Sequence, residues 1–67
     1  MNLLRYIADG SDQTEVVINP IQVALVRASA VHGFSHAEIL FSGGLKVTVM
    51  ADVETVLREL ATALARA

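Results

Sequence analysis

A chain of 67 residues holds one domain at most, and at that size folding buries only roughly 60% of the surface that the unfolded chain exposes. The absence of cysteine excludes a disulfide framework, a thiolate zinc site and a cysteine nucleophile. A net charge of −2, with the basic residues Arg5, Arg27, Lys46, Arg58 and Arg66 scattered singly, argues against a general nucleic-acid binder, whose footprint is a basic stripe.

Hydrophobic residues make up 54% of the chain and charged residues 18%, against about 25% charged in ordinary soluble domains. So few polar side chains leave apolar surface to be covered between subunits, so a homo-oligomer is expected, a dimer first. The longest apolar runs are about five residues, far below the ~20 of a spanning helix, so no membrane partner is expected. The first residues, Met1-Asn2-Leu3-Leu4-Arg5-Tyr6, do not read as a secretory signal, and the expected location is cytoplasmic.

In chain order, residues 3–8 read as a first strand, with Leu3, Arg5 and Ile7 alternating with Leu4, Tyr6 and Ala8. Asp9-Gly10-Ser11-Asp12-Gln13 is a turn cluster, and the β-rich residues 14–18 pair back as a hairpin. Asn19-Pro20 breaks the ladder, because proline has no N–H to donate. Residues 23–30 read as the next strand; a helix from Pro20 to Ala30 is the competing reading, since proline suits a first helical turn and alanine favours helix. His32-Gly33-Phe34-Ser35 forms a turn before a strand over 37–41, with Ala37, Ile39 and Phe41 on one face and Glu38 and Leu40 on the other.

Ser42-Gly43-Gly44 is the clearest hairpin signal and returns the chain into a strand over 45–50. Asp52 caps a helix over 53–66, on which Val53, Val56, Leu57, Leu60, Leu64 and Ala67 form one apolar stripe. The expected fold is α+β: a four- to five-stranded, mostly antiparallel sheet with one C-terminal amphipathic helix, in a single small domain over 1–67. One helix covers one sheet face. The other face is expected to carry Leu4, Tyr6, Val26 and Leu40 as a contact between copies. The alanine-rich helix end adds Leu64 to that interface set.

Candidate chemistry is sparse. His32 and His36, the only histidines, have a metal-pair spacing if helical, with Glu38 as a third ligand only by accident of folding. Zinc sites want three or four converging ligands, so two solvated turn histidines and no metal are expected. No nucleophile-elbow motif surrounds Ser11, Ser29, Ser35 or Ser42, and Asp9, Asp12 and Glu15 read as a solvated acidic turn. Ser42-Gly43-Gly44-Leu45-Lys46 separates two strands and lacks the helix of a phosphate loop. No catalytic residue and no cofactor are expected. The favoured role is a non-catalytic bacterial interaction module that self-associates and engages another, unidentified protein. The alternative is a small regulator whose Arg5, Arg27 and Lys46 meet nucleic acid when oligomer symmetry gathers them.

The order of features has a parallel. Val16-Val17-Ile18-Asn19-Pro20, then Glu38-Ile39-Leu40-Phe41-Ser42-Gly43-Gly44 with Lys46-Val47-Thr48-Val49, then Asp52-Val53-Glu54-Thr55-Val56-Leu57, resembles the small flagellar and swarming-motility protein family and related uncharacterised small bacterial proteins. The resemblance covers most of the chain. Departures are the longer first turn, 9–13, and the segment 31–35. It implies a compact β-rich accessory module without catalytic residues.

Overall fold

The computed structural model of the protein describes residues 3–10 and 14–66, so Ser11, Asp12 and Gln13 of the first turn and Ala67 of the helix stripe lie outside the described residues. Five strands precede one helix: β1 (Leu4–Ile7), β2 (Glu15–Ile18), a 3₁₀ turn (Pro20–Gln22), β3 (Val23–Ser29), β4 (Gly33–Phe41), β5 (Lys46–Val49) and α1 (Val53–Ala65). The class is α+β with antiparallel pairing throughout the described strands.

The strands form two sheets where a single one was expected. β1 and β2 make one, and β3, β4 and β5 make the other in that order. Among the described residues their backbones join at one antiparallel bridge, Ala8 to Val49, flanked by bonds from Asp9 N to Thr48 O (2.8 Å) and Met50 N to Ile7 O (2.7 Å). β1 is only four residues long, and the chain leaves the ladder at Asp9-Gly10 before it can run beside β5.

Pro20 resolves the competition over residues 20–30. It opens a single 3₁₀ turn, with the Asn19 side chain accepting from Ile21 N at 3.2 Å, and the strand follows at Val23. β3 then carries a register shift between Val23 and Leu25, which keeps both Val23 and Val26 on the core side while Leu25 and Arg27 face away. β4 begins at Gly33, earlier than the expected start at 37. Ser29 pairs with Gly33 and Ala28 with Ala37, which leaves Phe34, Ser35 and His36 interposed without register partners on β3. Regular pairing starts only at Ala37.

The hairpin between β4 and β5 follows from Gly44, whose φ of +89 lies where a Cβ is disfavoured. Asp52 caps α1 by accepting from Thr55 N (3.2 Å) and from the Thr55 hydroxyl (2.6 Å). Those bonds favour its ionised form and hold its carboxyl below the usual range. Val53, Val56, Leu60 and Ala63 of the helix are buried over Ala37, Ile39 and Val49, with Tyr6 and Ile18 closing the side. Among the described residues no buried side-chain polar atom lacks a partner, as a folded core requires.

Candidate functional site

On β4 and β5 the helix covers the expected face, with Ala37, Ile39, Phe41, Val47 and Val49 in or against the core, but on β1 and β3 it covers the residues expected to lie open. Leu4, Tyr6 and Val26, assigned from sequence to a contact between copies, belong to the core or pack against it. Of that set Leu40 faces away from the helix, half-buried, paired with Leu25 on one side and Lys46 on the other. Tyr6 is core because its ring lies under α1 and its hydroxyl donates to Glu59 Oε1 at 2.5 Å.

Burial, reinforced by Glu59, keeps the Tyr6 hydroxyl protonated well above its usual value of 10. The unfolded phenol ionises near 10 and the folded one does not, so its contribution is full below that pH and is lost progressively above it. Tyr6→Phe is expected to cost about 0.5–1.5 kcal/mol near neutrality. It should also flatten the decline of melting temperature between about pH 9 and pH 11. A variant that declines as steeply as the parent would refute the assignment.

The helix stripe is also turned from its expected position. Leu57 and Leu64 are each 49% exposed, whereas Ala63 is buried. The apolar arc from Ala63 round to Leu57 is wider than the sheet can cover, so one flank stays in solvent. Glu59 reaches β1 on one side of the helix; Leu57 and Leu64 occupy the other. Phe34, 75% exposed, shares a shallow apolar depression with Leu57 and Val53.

The basic trio does not form one patch. Arg27 Nε donates to Glu38 Oε1, and Lys46 Nζ lies 3.9 Å from Glu38 Oε2. Pairing sets Arg27 directly opposite Glu38, so the two cations converge on a buried carboxylate rather than on solvent. Arg5 lines a different feature, an open groove of about 730 Å³ shared with Arg58, Glu59, Thr62 and Arg66.

A second constellation joins distant parts of the chain. Gly33, at φ +65, reverses the chain sharply. Ser29, buried, accepts from Val31 N and His32 N, both at 3.1 Å, and the Ser35 hydroxyl donates to the His32 carbonyl at 2.8 Å. The result sets the rings of His32 and His36 with centroids 4.2 Å apart. Asp9, leaving β1, brings its Oδ2 within 3.4 Å of His32 Nε2. Glu38, the sequence's accidental third ligand, is engaged by Arg27 and Lys46 instead. Sequence reasoning missed Asp9 because its local signal was that of a solvated acidic turn; only the Ala8–Val49 bridge carries it to the histidines.

No family model, curated protein or solved structure matches the chain. Among the described residues no helix is long and apolar enough to cross a membrane.

Proposed function

We propose that this chain is a non-catalytic bacterial accessory module that pairs with a second copy of itself, then offers the dimer surface to another protein. The observation that carries this reading is the uncovered helix flank: Leu57 and Leu64 lie seven residues apart, two turns along one side of α1, beside the exposed ring of Phe34. Antiparallel pairing of two such helices sets Leu57 against Leu64 across a two-fold axis, a self-complementary contact. β3 is an edge strand of its sheet and, paired with its copy, can extend the contact.

The open sheet face is the weaker surface for this purpose. Its centre holds Glu38 with Arg27 and Lys46, and burying those ions against another copy costs their remaining solvation. The motility-family resemblance in layout supports an accessory role and adds no site.

Light scattering over about a hundredfold range of concentration tests the reading, because dimers obey mass action. Leu64→Glu is expected to weaken the dimer at least about tenfold, since central apolar contacts dominate such interfaces. Leu25→Glu, on the open face, should leave it intact. A parent that stays monomeric throughout, or a dimer lost only with Leu25→Glu, overturns it.

A second reading has one observation in its favour: Arg5, Arg58 and Arg66 gather around one groove. Single-stranded nucleic acid bound there must lose affinity steeply with salt. Retention of binding in an Arg5→Glu, Arg58→Glu double variant would exclude that groove as its site.

A further inference from the structure

We propose that Asp9, His32 and His36 bind one divalent zinc-class ion and thereby clamp the β1–β2 turn to the β3–β4 turn. Two imidazoles and a carboxylate are the donor set that such ions take, and three protein donors leave a coordination position for water. One donor atom from each residue falls within 4.8 Å of the others. Zinc bonds of about 2.0–2.1 Å put tetrahedral donors about 3.3 Å apart, close to the separation of Asp9 Oδ2 and His32 Nε2, 3.4 Å. That separation is too long for a charge-assisted hydrogen bond, which runs about 2.7–2.9 Å. The pair is spaced as two ligands rather than as a bonded couple.

The groups around the donors support the same reading. Ser35 spends its single hydroxyl proton on the His32 carbonyl, so at 3.2 Å from His36 Nδ1 it can only accept. The His36 tautomer is therefore Nδ1–H, which leaves the Nε2 lone pair for a metal, as the outer partners of metal-bound histidines ordinarily arrange. Ser29, itself buried, fixes the backbone of His32 from the other side. The two histidines are thus held on either side of the reversal at Gly33, and Asp9 arrives from the other sheet, anchored by its own N–H on Thr48 O at 2.8 Å. An ion bound here adds a tie between two sheets whose described backbones join at a single bridge, and it stabilises the fold because the unfolded chain has no such site.

Zinc titration of the chelator-treated full chain, in competition with a coloured chelator, tests the proposal. The parent should bind one ion per chain, and its melting temperature should rise with zinc. His36→Ala and Asp9→Asn should each weaken binding by at least about a hundredfold, and Ser35→Ala, which keeps all three donors, by about tenfold. All three positions lie at the surface or half-exposed, so circular dichroism of the variants should match the parent. If His36→Ala nonetheless misfolds, Asp9→Asn and Ser35→Ala decide. No saturable binding, half an ion per chain, or affinity unchanged in Asp9→Asn each overturns the site.

Discussion

Ile39→Ala is expected to lower the melting temperature by at least roughly 10 °C and to leave a measurable unfolded fraction at growth temperatures. Ile39 is fully buried at the middle of β4, paired with Val26 on β3 and Val47 on β5, in the cluster roofed by Val56 and Leu60 of α1. Removing its three outer carbons forfeits their transfer from water and opens a cavity, together about 2–5 kcal/mol. A domain of this length holds only about 3–10 kcal/mol in all. The neighbouring Leu40→Ala is the control. Leu40 points away from the helix and is half-buried, so its truncation should cost distinctly less. Urea and thermal unfolding of the two variants measure the difference. A Leu40→Ala penalty equal to or above that of Ile39→Ala would place the core on the wrong face of the sheet.

That assignment of faces is also where the sequence was least readable. Period-two alternation sorts β1 into Leu3, Arg5, Ile7 and Leu4, Tyr6, Ala8, yet both sets contain large apolar residues. Nothing local says which set the helix covers. The deciding contact, Tyr6 to Glu59, spans almost the whole chain. The helix had the same difficulty: six apolar residues fit one stripe on a wheel, but the width of the sheet decides that Leu57 and Leu64 remain outside. Features set by single residues were legible. Gly44 permits the β4–β5 turn through its positive φ, Asp52 caps α1, and Pro20 interrupts the ladder, each through a mechanism confined to a few neighbouring atoms.

The division into two sheets was not legible, because it depends on where a four-residue strand stops relative to β5, and composition does not encode that. The Asp9–His32–His36 cluster was half legible. The four-residue spacing of the two histidines is readable, but Gly33 between them argues against a shared helical face, and the segment is not helical. Their approach is achieved by a looped-out stretch of β4 instead. Period arguments cannot anticipate such a stretch, as it arises from a register shift between neighbouring strands.

Gly33→Val should therefore act twice, on stability and on the proposed ion. The backbone at Gly33 has φ +65, a region that costs L-residues about 1–3 kcal/mol and β-branched ones most. A Cβ built there meets nothing within 4 Å, so the penalty is torsional and not steric crowding by neighbours. For a domain of this size that is a fall of roughly 5–15 °C in melting temperature. The valine can relieve the strain only by pulling φ negative, which moves His32 relative to His36 and separates the donors; zinc stabilisation should vanish with it. Gly33→Asn is the discriminating partner, since asparagine tolerates the left-handed region and should keep most of both properties. Gly43→Val provides the other bound: its Cβ also meets nothing within 4 Å and its φ is not positive, so it should melt within a few degrees of the parent. If Gly43→Val and Gly33→Val lose equal stability, the sharp reversal at Gly33 is not what holds the turn. If Gly33→Val loses stability but still gains the parent's full increment from zinc, the histidine pair does not depend on that reversal, and the ion is held by some other arrangement of the chain.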